Sequence, residues 1–200
     1  MMRKLSRRNF LKTAGATVLA AAAMSTLTAC GGGGSSSPSP APSKNNVPDK
    51  EIGALKLKDV AGRLTYSYKK NDPNKTPVSW QADIVVTLEN TKDQAVELNF
   101  NNVDVLLDGK VPQNGQTSVW VRDETDTHQW YALREPLMKI EKGKPVTVEI
   151  EVALEKNVYE QWTKGEGNHS LAVTLKHDGK KVTYTLDSKK TTTVSNVENA

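Results

Sequence analysis

The chain has 200 residues, 27 Lys and Arg against 23 Asp and Glu, and one cysteine. A single cysteine excludes an intrachain disulfide framework and leaves stability to the apolar core. The formal charge of +4 comes from the N-terminus, where Arg3, Lys4, Arg7, Arg8 and Lys12 stand without an acid. Beyond them 22 bases face 23 acids, a net −1, and such an interleaved balance excludes the basic patch that nucleic acid requires and a polybasic membrane footprint.

Residues 13–29, TAGATVLAAAAMSTLTA, carry no charge. A basic start, a short apolar run and small residues before a cut make an export signal. The run is shorter than the ~20 apolar residues a spanning helix needs. SRRNFLK, residues 6–12, resembles the twin-arginine export motif, with Arg7, Arg8, Phe10 and Leu11 in its defining positions. LTAC, residues 27–30, resembles the bacterial lipobox. That resemblance implies that Cys30 receives a diacylglyceryl group, with palmitate-type chains, and becomes the first mature residue. Two acyl chains hold a protein on a bilayer, each buried methylene adding about 0.8 kcal/mol. The chain then divides into a signal peptide (1–29), a lipidated cysteine with a flexible linker (30–51), a β-domain (52–187) and a disordered tail (188–200). GGGGSSSPSPAPSK, residues 31–44, is flexible through Gly and Ser and extended through Pro38, Pro40 and Pro42. The implied location is extracytoplasmic, on the outer side of the cytoplasmic membrane, or periplasmic or at the outer membrane in a two-membrane cell.

After the linker the apolar period is two, which predicts strands. ALKLKDV and RLTYSY are short candidates. WQADIVVTLEN sends Trp80, Ala82, Ile84, Val86 and Leu88 to one face, with Gln81, Asp83, Thr87 and Glu89 on the other. AVELNF points Val96, Leu98 and Phe100 inward. VDVLLDGK does so with Val103, Val105 and Leu107 and ends in Asp108-Gly109, a hairpin pair. TSVWVRD is predicted to pair with HQWYALRE. VTVEIEVAL, started by Pro145, places Val146, Val148, Ile150, Val152 and Leu154 inside. Val158, Tyr159 and Trp162 recur at helical spacing, and Gly165 is a stop. The spacing predicts a short helix over 156–164. Leu171, Val173 and Leu175 face Val182, Tyr184 and Leu186 across Asp178-Gly179. Trp80 reads as core and Trp162 as lid.

Eight or nine short strands with turns between them predict an all-β, antiparallel β-sandwich with one short helix. The rhythm, in stretches such as VVTLENTKDQAVELNF, resembles the immunoglobulin-like domains that follow the linker in many bacterial surface lipoproteins. The likeness covers 80–187 and lacks the Cys-Trp-Cys core of true immunoglobulin domains.

DETDTH places Asp123, Glu124, Asp126 and His128 in one loop. Such oxygen ligands suit calcium, but the loop lacks the glycine of a tight cage and reads first as a solvated hairpin tip. His169 and His177 bracket one strand, about 26 Å apart at ~3.3 Å per residue, and cannot share a zinc ion. Residues 30–200 hold neither a nucleophile elbow nor a phosphate loop, so neither catalytic residues nor a cofactor are expected. In SVWVR, Val119 and Val121 share one face, which leaves Trp120 on the other with Ser118 and Arg122. One of Trp130 and Tyr131 must join it. Trp120, Trp130 and Tyr131 are therefore the candidate ligand contacts, for a sugar ring or a partner side chain, unless the helix or the N-terminal segment covers them. The leading expectation is a membrane-tethered binding or structural module whose partner is an envelope protein or glycan. The alternatives are an inhibitor or accessory subunit of an exported enzyme, and a hydrolase whose carboxylates come from distant strands.

Overall fold

The computed structural model describes residues 50–69, 72–124 and 130–200. The signal motif, Cys30 and the linker up to residue 49 lie outside the described residues, as do Asp126 and His128. The described chain is mostly antiparallel β with one short helix. Its elements run β1 (Glu51–Ile52), β2 (Leu55–Tyr68), β3 (Pro77–Asn90), β4 (Val96–Asn99), a 3-10 turn (Phe100–Asn102) and β5 (Val103–Leu107). They continue with β6 (Thr117–Asp123), β7 (Trp130–Ala132), β8 (Leu137–Ile140), β9 (Val146–Leu154), α1 (Lys156–Lys164), β10 (Leu171–His177), β11 (Lys180–Leu186), β12 (Thr192–Val194) and β13 (Glu198–Asn199).

Three sheets result. The largest has six strands in the order β1-β2-β3-β9-β6-β7. The second runs β12-β11-β10-β5, with β13 also paired to β11, and β4 and β8 form a two-stranded third. One apolar core draws on all three, through Ile84, Val86 and Ile150 from the first, Val173 and Tyr184 from the second, and Leu98 and Ile140 from the third. Alternation explains the inward set, because successive side chains leave opposite faces of a strand. Ala82, Ile84, Val86 and Leu88 are completely buried, as are Ile150 and Val152 beside them. Each such aliphatic side chain contributes about 1.5–3 kcal/mol of transfer free energy.

Local chemistry fixes the connections. Asp178 and Gly179 both have positive φ, 48° and 67°, the requirement of a two-residue hairpin turn matched to strand twist. The hairpin pairs Leu171 with Leu186, Val173 with Tyr184 and Leu175 with Val182. Helix α1 ends at Gly165 in the left-handed conformation, and the Gly165 N–H donates to Gln161 and Trp162 carbonyls, which satisfies the last turn. Lys164 lies at the negative helix end.

Gly62 marks where the two large sheets meet. Its N–H donates to Thr192 Oγ1 at 2.7 Å, and a β-carbon there would lie 2.7 Å from the same oxygen and 2.9 Å from Leu186 Cδ1. Only the residue without a side chain allows that approach.

Several expectations need correction. The two short strands before residue 70 are one strand, β2, interrupted by an irregularity between Leu57 and Asp59. Asp108 and Gly109 do form a turn with positive φ, 51° and 73°. It closes only onto Lys110, however, and β5 pairs instead with β10. The expected disordered tail contains β12 and β13. Its Thr and Val alternation suits an edge, and β11 offers one: Leu186 pairs with Thr192 and Tyr184 with Val194. Lys50 Nζ clasps the same segment by donating to the Val194 carbonyl at 3.1 Å. The strand tally rises from eight or nine to thirteen among the described residues, because edges collect pieces of two to four residues. Finally, Trp162 is core rather than lid. It is 0% exposed, and its Nε1 donates to the Asp187 carbonyl at 2.9 Å, while Trp80 is half-buried at the rim.

Candidate functional site

The six-stranded sheet turns its second face away from the core, and the polar positions of its strands meet there. Strand register sets the neighbours. Arg63 on β2 lies opposite Asp83 on β3, which lies opposite Glu151 on β9, which lies opposite Ser118 on β6. One step along, Val85 lies opposite Glu149, and Glu149 opposite Trp120. One step further, Thr87 and Thr147 share a hydrogen bond of 2.8 Å, and Thr147 lies opposite Arg122, which lies opposite Trp130. Acids, hydroxyls, arginines and two indoles thus share one face of the sheet, in which Asp83, Thr147 and Glu149 are buried.

Trp120 and Trp130 share this face because Arg122 pairs with Trp130 and Trp120 with Ala132. The Arg122 guanidinium stacks over the Trp130 ring, 5.0 Å from its centroid, a cation–π contact. It also donates through Nε to Glu124 at 2.6 Å. Tyr131 leaves the opposite face of β7 and is 50% exposed, so it does not join the pair. Trp120 is half-buried and lines a groove of about 490 Å³ together with Phe100, Ser118, Ala132, Arg134 and Glu135. Helix α1 packs on β3 and sends Trp162 into the core.

The expected calcium loop is only partly visible. Glu124 is engaged by Arg122, and the Asp123 side chain and the whole of Asp126 and His128 lie outside the described residues. Of the other histidines, His169 Nδ1 lies 2.9 Å from Asp108 Oδ2 and its ring lies against Trp162. His177 ends β10. They stand at opposite ends of that strand, as their spacing predicts.

Sequence reasoning missed a carboxylate cluster. Asp83, Glu149 and Glu151 each bring an oxygen within 4.8 Å of the other two. Asp83 and Glu149 are each only 1% exposed. Arg63 spans them, Nε to Asp83 Oδ2 at 3.2 Å and Nη2 to Glu149 Oε1 at 2.7 Å, while its own side chain remains 44% exposed. Thr65 donates to the same Asp83 oxygen at 2.9 Å. Asp83 Oδ1 is buried and has no hydrogen-bond partner among the described residues. Burial first, then the charge of Glu149, pushes the Asp83 carboxyl well above the usual carboxylate range, against the downward pull of Arg63. Burial pulls the Arg63 guanidinium down, but Glu149 and Asp83 outweigh it and raise its affinity for the proton. The signal available in sequence was an acid at the middle outward position of each of two long strands. What sequence could not supply was that β3 and β9 are neighbours.

No curated protein matches the chain. No helix among the described residues is long and apolar enough to cross a membrane. Residues 4–24 match the family model for the TAT (twin-arginine translocation) pathway signal sequence. The chain therefore carries a signal for export across the cytoplasmic membrane, followed by a mostly β domain.

Proposed function

We propose that the protein is a lipid-anchored, extracytoplasmic binding module whose outer sheet face takes an envelope glycan. In this reading the domain is an immunoglobulin-like β-sandwich, Cys30 carries the acyl chains, and residues 31–49 are the tether. The observation that carries the binding assignment is Trp120 beside the groove, on the same face as Trp130 and the carboxylates. Sugar rings stack their C–H faces on indoles, and Glu151, the half-buried carboxylate of the cluster, is placed to accept a hydroxyl hydrogen bond, stronger to an ionised acceptor than to a neutral one. Groove volume falls in the range of small-ligand sites, roughly 300–1,000 Å³.

Hydrolysis is not assigned. Glycosidase carboxyls stand about 5–5.5 Å apart for a nucleophile, or about 6.5–9.5 Å apart to admit water. Here Arg63 ties two of the three carboxylates together in ion pairs. A partner protein is the second reading. It is favoured by the short edge strand β7 and its exposed Tyr131, where an extended segment of an exported enzyme would add to the sheet.

Titrating the protein with soluble fragments of envelope glycan tests the first reading. Tryptophan emission should be quenched saturably, and Trp120→Ala should remove the quench. An unchanged quench in that variant, or none with the wild-type chain, would exclude the sugar face. The anchor has its own test. Cys30→Ala should move the protein from the membrane to the soluble fraction, and continued membrane association would contradict lipidation.

A further inference from the structure

The groove beside Trp120 carries two charged side chains that no described residue pairs. Three arginines lie among the described residues. Arg63 is paired with Asp83 and Glu149, and Arg122 with Glu124 and the Trp130 ring. Arg134 lines the groove and is exposed, and among the described residues nothing pairs with its guanidinium. Glu135, its neighbour in the chain, lines the same groove, is exposed, and is likewise unpaired among the described residues. The described residues bring no other charge to the lining, where Trp120, Phe100 and Leu133 supply apolar surface and Ser118 a hydroxyl. Backbone bonds hold the walls. The Leu133 N–H donates to the Val119 carbonyl at 2.9 Å, and the Phe100 N–H to the Pro136 carbonyl at 2.7 Å. Arg134 therefore sits on a stretch of chain fixed on both sides, and in any rotamer its guanidinium stays within a stem's length of the groove.

We infer that the groove selects a glycan bearing an isolated carboxylate, with a sugar ring against Trp120 and the carboxylate on Arg134. The inference rests on the tryptophan face being a sugar-binding surface, and it names the class of sugar that face takes. A guanidinium is planar, offers parallel N–H donors that match a carboxylate, and keeps its charge at any physiological pH. Such charge-assisted bonds are roughly twice as strong as neutral ones. Arg134 gives its fork to the ligand without first breaking an ion pair. Glu135 narrows the class. Its charge repels a dense polyanion, such as a phosphate polymer, but accepts hydrogen bonds from ring hydroxyls or an N-acetyl amide. The fit is therefore a single carboxylate among neutral groups.

Two matched probes make the test: a disaccharide of glucose and glucuronic acid, and its uncharged methyl ester. Each is titrated into the purified full chain, and tryptophan emission is read. The acid should quench saturably and bind about tenfold more tightly than the ester, as hydrogen bonds to a charged group allow. Added salt should narrow that gap. Arg134→Gln should bring the acid down to the affinity of the ester, with the circular dichroism spectrum unchanged. Arg134→Lys should keep part of the preference, because a point charge remains without the fork. Glu135→Gln should widen it, since a like charge is removed. Equal affinity for acid and ester in the wild type, or a preference that survives Arg134→Gln, overturns the inference and leaves the tryptophan face standing. Quenching by neither probe also overturns it, and the envelope-glycan titration of Trp120→Ala then decides the tryptophan face by itself.

Discussion

Arg63→Gln is the most informative perturbation of the sheet face. The substitution keeps much of the side-chain stem and removes the charge that spans Asp83 and Glu149. Removing one partner from a fully buried ion pair costs about 3–5 kcal/mol, because the other charge is left without compensation. Asp83 and Glu149 are 1% exposed, which argues for the full penalty. The Arg63 side chain, however, is 44% exposed, so water already screens part of the attraction and the loss is discounted to about 2 kcal/mol. For a domain of this size that is a drop in melting temperature of about 4–8 °C. The assay is thermal unfolding by circular dichroism, at about pH 8 and about pH 5. Asp83 holds its proton to higher pH than an ordinary carboxyl, so it needs Arg63 less in acid, and the deficit should shrink at the lower pH. An unchanged melting temperature at both values, or an equal deficit at both, would refute the reasoning.

Asp83→Asn isolates the titration itself. A carboxyl whose folded pKa is raised contributes stability that is fully present below its unfolded pKa and is lost as pH rises through the folded value. The wild type should therefore lose stability with rising pH over a window that begins near the ordinary carboxylate pKa and extends well above it. Asp83→Asn should flatten that slope, as measured by urea unfolding across pH. Trp162→Ala should cost about 3–5 kcal/mol by cavity formation together with the lost bond to the Asp187 carbonyl, seen as a lower urea midpoint. Gly62→Ala should cost about 1–3 kcal/mol through overpacking, since the new methyl group would meet Thr192 and Leu186. Adding Thr192→Ser should not relieve it, because the serine hydroxyl would occupy the same place.

Much of the domain is legible where one residue sets one local outcome. Strand β9 follows its alternation from Val146 to Leu154, and Gly165 ends α1 as a left-handed cap. Asp178-Gly179 sets the register of the β10–β11 hairpin, so Leu171 meets Leu186 as the pattern requires. Alternation also places Trp120 on the outer face with Arg122. The failures share a cause. Alternation says which face a side chain takes but not how deeply that face is covered, so nothing in it shows that Asp83 and Glu149 are buried. Among the neighbours far apart in the chain that meet them is Arg63, brought in by the β2-β3-β9 order. The tail was misread for the same reason: its polar strands depend on the free edge of β11, a tertiary feature. Trp162 has helical spacing like any lid residue, and only the docking of α1 sends its indole to the core.

The claim on which the account turns is that the tryptophan face of the large sheet is a binding surface. Co-sedimentation of the exported protein with isolated, protein-stripped envelope glycan tests it most directly. The account predicts that the wild-type chain pellets with the glycan, that Trp120→Ala stays in the supernatant, and that Tyr131→Ala, on the opposite face, still pellets. Equal pelleting of wild type and Trp120→Ala, or the failure of both to pellet, would contradict it.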